Sequence, residues 1–505
     1  MRNLGFRGNN AKYPTFKFPF LCSAHAMKSQ AGLVIHKVQS AINSMGQLPI
    51  KDMLQRLDGI SNDLCRLIDT AECVHRIHPQ RDMRAAALKA SQQVSAFMHS
   101  LNHNRALYMQ VQASAKDATA SLDEAELAVL KSVLRDFELL AKSKFDTKLL
   151  QMQWNLDQAT AQFEMAASRH KSDQITANVK QPKLEAASAV RALENLIKCR
   201  FAIANALGYS SASDMILSGK SFRTTEQVQT WIKEEAQRIR KVGLTSNSDR
   251  LAFTVRHPTQ HIESLLKLFD LRVSFSSLPG NVLQLNLSSD QIAVGRIYID
   301  YGNRPGKSPC PMQYTLQARI PPIQAGCVVI SLPVPDLNNI DSNSMRNLYH
   351  EMGHALHNLL SKVPFQIVSG TRCVEDLVEA PSACFERIFD QSHHSKADQP
   401  TVDDLLQLQI ALMDQLLHSR LPGEGLGWSA SAMREAHESV GADILHNAPG
   451  SAWYAHIGHL ANYGGYYYAY PLSTHLARTV SIPKLRELLG RGGLLNIEDF
   501  DFVIK

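Results

Sequence analysis

Between Ser61 and Leu207 the chain contains no glycine, and its prolines there are Pro79 and Pro182. Tight hairpins draw on glycine or Asn-Gly, so a stretch of this length without them cannot be a sheet with ordinary connections. It reads as long helices joined by short polar turns. The apolar residues agree just upstream and into the stretch. Met53, Leu54, Leu57, Ile60, Leu64, Leu67 and Ile68 recur at steps of three and four, the period of one helix face. Helices are expected over 31–45, 50–77, about 121–170 with breaks, 184–207 and 225–242. Ser121 with Glu124 reads as a capping box, Gly208 as a C-terminal stop, and 173–182 as a linker.

From Asn281 to Pro333 the period changes. Residues 282–287 alternate, 294–301 form a strand ending in Gly-Asn-Arg-Pro-Gly, and 312–320 and 327–332 add two more strands. The chain then returns to helix. The expected fold is mostly α, with a small sheet just before residue 340. With 505 residues, 44% of them hydrophobic and 20% charged, the chain is long enough for more than one lobe. No apolar run approaches the ~18–20 residues of a membrane span. The net charge of +6 is mild, and no Lys/Arg block interleaved with aromatics points to nucleic acid. Eight scattered cysteines without Cys-x-x-Cys fit free thiols in a reducing compartment. Residues 1–50 carry no Asp or Glu but do carry Arg2, Arg7, Lys12, Lys17, Lys28 and Lys37, which is either a targeting segment or a basic arm.

After the sheet comes His350-Glu351-Met352-Gly353-His354. Asp341 or Ser342 can cap a helix that starts near Asn343, and Leu348, Met352, Leu356, Leu359 and Leu360 give it an apolar stripe. At i and i+4 the two histidines project from one face, a spacing that suits two nitrogen ligands on one zinc ion. Glu351 then stands beside them to take a proton from a bound water. The spacing that would add a third histidine requires Gly at 357 and His at 360. Those positions are His357 and Leu360, so a carboxylate from a following helix is needed. Glu375, Asp376, Glu379 and Glu386 are all candidates, and spacing does not choose among them. His357 lies a turn too far along and is expected to pack or to act from behind the ligands.

The run 350–357, His-Glu-Met-Gly-His-Ala-Leu-His, is followed by Ser369-Gly370-Thr371-Arg372-Cys373 and by Asp376-Leu377-Val378-Glu379-Ala380-Pro381-Ser382. Together they resemble the thimet oligopeptidase family of zinc metallopeptidases, and its mitochondrial branch in particular. A second block, Gly458 to Tyr470, resembles that family's His-Leu-x-x-Tyr-Gly-x-x-Tyr-Tyr-x-Tyr loop. The resemblance implies Glu379 as third ligand to one Zn²⁺ per chain and matches the catalytic-loop tyrosines to Tyr467 and Tyr470. Physically, a glycine-bearing loop can close over a peptide, and His459 with these phenols can donate hydrogen bonds to an oxyanion.

The resemblance also implies two helical lobes around a deep channel with zinc at its floor, and short unfolded peptide segments as substrates. The mitochondrial branch removes an N-terminal octapeptide from imported precursors. The expectation is therefore a monomeric zinc endopeptidase of the mitochondrial matrix, with residues 1–30 as a basic segment, 31–250 as a helical lobe and 251–505 as the catalytic lobe. The rivals are a general oligopeptidase of the same family, mitochondrial or cytoplasmic, and a catalytically weak peptide-binding protein. Asp376 either orients a ligand histidine or lies at the surface. Cys373 and Cys384 are either oxidation-sensitive or packing residues. Pro471 is expected to end its helix early.

Overall fold

The computed structural model describes residues 23–46, 48–116, 119–142, 147–168, 183–245, 253–290, 292–394, 397–419, 430–446 and 452–504. Most of the basic segment expected at 1–30, and the linker expected at 173–182, lie outside them.

The glycine-poor half is helical: α1 (Ala24–Asn43), α2 (Ile50–Ile77), α3 (Arg81–Asn102), α4 (Arg105–Ala115), α5 (Glu124–Lys142), α6 (Thr147–Ser168), α7 (Lys183–Ala206), α8 (Ala212–Leu217) and α9 (Thr225–Val242). Pro79 holds His78 in extended backbone, which ends α2. The long helix expected over 121–170 is α5 and α6. Its start is not the Ser121–Glu124 box. Asp123 accepts from the Glu126 N–H (2.8 Å) and the Glu126 carboxylate accepts from the Asp123 N–H (2.9 Å), so the same reciprocal cap forms two residues later. Gly208 follows α7 at φ +81°, a conformation that favours glycine. Thr224 and Gln227 form the capping box of α9.

Next come β1 (Thr254–Arg256), α10 (Pro258–Lys267), β2 (Arg272–Leu278), β3 (Val282–Ser289), β4 (Ile292–Tyr301), β5 (Met312–Gln317), β6 (Gly326–Leu332) and β7 (Asn339–Asp341). The main sheet has the order β2-β3-β4-β6-β5, with β4 and β6 parallel and the other neighbours antiparallel. Strand β2 escaped the sequence reading because Ser274, Ser276 and Ser277 dilute its alternation. The helices that follow are α11 (Ser342–Leu360), α12 (Glu379–His393), α13 (Val402–His418), α14 (Ala430–Asp443), α15 (Ala469–Ala477) and α16 (Ile482–Arg491). Pro471 does not end its helix. It sits in the first turn of α15, where its missing N–H has no helical partner to lose.

The sheet divides two hydrophobic cores by the two-residue period of its strands. Val282, Tyr298, Tyr314, Leu316 and Val329 face the core built with α1 to α5. Leu283, Leu285, Ile297, Ile299, Val328 and Ile330 face the other, built with α11 and its neighbours. Helices α6 to α9 lie before residue 250 yet pack into this second core, so the cores do not follow chain order. Strand β6 is buried along its whole length, and β5 is the edge strand beside α11. Among the described residues no helix is long and apolar enough to cross a membrane.

Candidate active site

Helix α11 is built as its sequence requires. Asp341 caps it, accepting from the Ser344 N–H (2.9 Å), and Leu348, Met352, Leu356 and Leu359 are fully buried against the sheet and its neighbours. His350 and His354 project one turn apart, with Nε2 atoms separated by 3.2 Å. Gly353 lies between them. A Cβ there would stand 2.6 Å from the Ser382 Cα, so glycine is what lets α12 lie against α11. That close approach delivers Glu379, the first residue of α12. Its Oε2 is 3.3 Å from His350 Nε2 and 3.2 Å from His354 Nε2. Among the described residues this is the one group of three side chains able to hold a metal ion. Zinc bonds of about 2.0–2.1 Å in a tetrahedron place ligand atoms about 3.3 Å apart. All three separations match, and two imidazoles with one carboxylate leave a fourth position open, so the residues fit a catalytic zinc ion.

The electrostatics also favour a cation. Burial pulls the His350 imidazole down, but hydrogen bonds and charge from Glu379 and Glu386 outweigh it and raise the group to about 10. Burial would raise Glu379, yet His354 and His350 hold it well below the usual carboxylate range. Glu386, weighed above as a ligand, instead meets His350 Nδ1 at 2.5 Å and turns Nε2 toward the metal position. Its second oxygen pairs with Arg346 (2.5 Å), which also bonds Asp390. Glu375 is exposed and pairs with Lys220. Asp376 is fully buried but accepts from Ser221 N (2.9 Å), Ser221 Oγ (3.1 Å) and the Tyr468 hydroxyl (2.7 Å), so it orients no ligand histidine. His357 is fully buried, with Nε2 3.2 Å from the Gly492 carbonyl oxygen, and packs away from the metal position. Cys373 and Cys384 are each pushed up to about 12 by burial and remain thiols at neutral pH.

Glu351 is also buried. Burial raises its carboxyl, opposed by His354 and His350, and the Gln313 backbone amide of edge strand β5 reaches it. A buried acid with a raised pKa beside a metal position is suited to pass protons near neutral pH.

Across the cavity lies the second block. His459 sits in a short 3₁₀ turn, and its ring is 6.2 Å from that of Tyr467 and 5.7 Å from that of Tyr470. The rings of Tyr467 and Tyr470 are 5.1 Å apart. These three line a cavity of about 580 Å³ together with His350, Glu379 and Glu386. Burial raises both phenols, for Tyr470 with the added charge of Glu379, so both stay protonated donors. The Tyr467 hydroxyl rests on Gln407 (2.8 Å). Tyr468 points inward to Asp376. Tyr463, given no role in the sequence reading, donates to Glu379 Oε1 (3.4 Å). Its place in the tyrosine block was the available signal, but the partner appears only in three dimensions.

Residues 280–484 match the family model described as Peptidase family M3. A mitochondrial intermediate peptidase of Phaeosphaeria nodorum is 26% identical to this chain, covering 85% of it and 76% of its own length. The mitochondrial intermediate peptidase of Homo sapiens is 24% identical, covering 84% and 75%. Among solved structures, a Pyrococcus furiosus carboxypeptidase aligns with a TM-score of 0.56 at 13% identity, over 95% of this chain and 90% of its own. PZ peptidase A aligns with a TM-score of 0.56 at 11% identity, over 97% and 95%. At these identities the structural likeness establishes the fold alone.

Proposed function

We propose that this chain, a metallopeptidase that matches the Peptidase family M3 model over residues 280–484 and resembles mitochondrial intermediate peptidases along most of its length, is a zinc endopeptidase of that family acting on short, unfolded peptide segments. The observation that carries the reading is the mutual spacing of His350, His354 and Glu379, which is that of three ligands on one tetrahedral zinc ion. Zinc bound there would polarise the scissile carbonyl and bring the pKa of a bound water toward about 7. Glu351 takes the proton of the attacking water and delivers it to the leaving amine. Tyr467, Tyr470 and His459 donate hydrogen bonds to the carbonyl oxygen as its charge develops. Glu386 keeps His350 in the orientation that points Nε2 at the metal. The open edge of β5, whose Gln313 amide touches Glu351, offers a backbone for an extended peptide to pair with.

The substrate reading is finer. A cavity of about 580 Å³ accommodates a few residues of an extended peptide and excludes a folded domain. The relatives named mitochondrial intermediate peptidase, and the match of the tyrosine block to that branch, support imported precursor proteins as substrates. The proposed reaction removes their N-terminal octapeptide in the mitochondrial matrix. A monomeric active unit is part of the same proposal.

Two experiments test this. Glu351→Gln is expected to abolish turnover while the protein keeps one zinc per chain by elemental analysis. Retention of most of the rate overturns the mechanism. N-terminal sequencing of a once-cleaved precursor incubated with the enzyme is expected to show loss of the octapeptide. Cleavage of short generic peptides with the precursor left intact favours the general oligopeptidase instead.

A further inference from the structure

The segment from His459 to Tyr470 is gripped by a buried, charged network that the metal chemistry does not use. Arg200 of α7, 7% exposed, donates from one guanidinium nitrogen to the Leu460 carbonyl (2.9 Å) and to His418 Nε2 (2.8 Å), and from the other to the Ala461 carbonyl (2.5 Å). Because His418 Nε2 accepts from Arg200, the ring proton sits on Nδ1, which donates to the Asp414 backbone carbonyl (2.9 Å) and lies 3.0 Å from the Asp414 carboxylate. Asp414 in turn accepts from the Gly465 N–H (2.8 Å) and the Tyr467 N–H (3.0 Å). Gln415 donates to the Gly465 carbonyl (2.7 Å). His418, Asp414 and Gln415 are fully buried on α13. One relay thus runs from the carbonyls at 460 and 461 to the amides at 465 and 467.

The glycines of the segment answer to the same network. A Cβ on Gly464 would run into the Arg200 guanidinium and the Leu460 carbonyl, and Gly465, at φ +86°, has Ile216 against the space a Cβ would fill. The loop backbone is therefore shaped around Arg200. Burying a guanidinium and a carboxylate on either side of an imidazole is costly in solvation, and apolar side chains would fill the space more cheaply. Burial lowers Arg200 only to about 10, so it is cationic at neutral pH.

We propose that Arg200, acting through His418 and Asp414, is a positioning residue of the peptidase reaction. It locks the backbone on both sides of Tyr463, so that His459, Tyr467 and Tyr470 stand as oxyanion donors before substrate binds. The device reaches 260 positions along the chain, from a helix of the glycine-poor half to the tyrosine block. This inference rests on the zinc endopeptidase reading.

The test compares Arg200→Met, Arg200→Lys, Gly464→Ala and the double variant Arg200→Met/Gly464→Ala in the full zinc-loaded chain. The readouts are kcat and KM on a quenched-fluorescence peptide, zinc content, and the affinity of a phosphinic peptide that mimics the anionic tetrahedral state. Arg200→Met is expected to lower kcat about 10²-fold, the scale of a lost oxyanion donor, with KM within about twofold and zinc retained. Phosphinic affinity falls in parallel with kcat. Arg200→Lys, a point charge without the fork, recovers part of the loss. Gly464→Ala lowers kcat in the wild-type background and costs less beside Arg200→Met, where its clash with the guanidinium is gone and the one with the Leu460 carbonyl remains. If Arg200→Met does not fold, Gly464→Ala alone decides, and wild-type kcat in that variant overturns the proposal. So does an Arg200→Met enzyme that keeps kcat within threefold of wild type while Glu351→Gln is dead. A Glu351→Gln enzyme that retains turnover sinks the underlying site reading instead.

Discussion

Two groups of side chains face each other across the cavity, and they are held in opposite ways. The metal-facing group is local. His350 and His354 ride one helix at one-turn spacing, and Glu379 opens the next helix, which Gly353 allows to lie alongside. The donor-facing group is assembled from a distance. The loop that carries His459 and Tyr467 is held by Arg200 from α7, by Asp414, Gln415 and His418 from α13, and through Tyr468 by Asp376. A locally built site should fail by losing its metal. One built from a distance should fail with the metal still bound.

That contrast is tested first by its largest effect. Glu379→Ala removes one of the three proposed ligands, so zinc content and turnover are both expected to fall to background. A chelator should reproduce this in the wild-type protein, with activity restored by added zinc. A Glu379→Ala enzyme that keeps stoichiometric zinc would show that the triad is not the metal site.

On the other wall, Tyr470→Phe removes one hydroxyl and no metal contact. The expected result is a kcat lower by about 10²–10³ with KM nearly unchanged and zinc retained. An unchanged kcat removes Tyr470 from the chemistry. Parallel loss of zinc would erase the distinction between the two walls. A smaller effect is expected behind the ligands. Glu386→Gln keeps the shape but removes the charge at His350 Nδ1, which should weaken zinc by about 10- to 100-fold in competition with a chelator. At saturating zinc most activity should return. No change in affinity would make Glu386 a partner of Arg346 only.

The same contrast explains what could be read from residues alone. Helices α2 and α9, strands β3, β4 and β6, and the start of α11 were visible because each is fixed by neighbours a few positions away: a 3.6-residue stripe, a two-residue alternation, a cap. The His350–His354 pair was visible for that reason too. Choosing Glu379 over Glu386 was not, since both lie on α12 and only the packing of α12 on α11 decides which carboxylate meets Nε2 and which meets Nδ1. Asp376 and Arg200 were hidden more deeply. Their partners lie 155 and 260 positions away, so no spacing rule could find them. The cap of α5 shows the local limit, because Ser121 and Asp123 offer equivalent side chains two residues apart and only the fold selects Asp123.

The smallest expected effect on activity comes from His357, which separates ligand from neighbour on one helix. It follows His354 by three residues and is fully buried, with Nε2 bonded to the Gly492 carbonyl and Nδ1 without a partner among the described residues. Burial lowers it to about 4, against about 6.5 for an unfolded histidine. Between those values the unfolded chain binds a proton that the folded chain refuses. Stability contributed by the neutral ring is therefore complete above pH 6.5 and lost as pH falls toward 4, by on the order of 3 kcal/mol over the whole window. His357→Gln keeps an amide N–H for Gly492 and has nothing to titrate. Denaturant unfolding of wild type and variant from pH 7 to pH 4 should give a difference that grows against wild type as pH falls, while groups common to both cancel. At pH 7 the variant should keep its zinc and a kcat within a few-fold of wild type. A flat difference would mean that His357 is solvated, and lost zinc would mean that the reach of the metal site extends a turn further along α11 than the positions of the ligands imply.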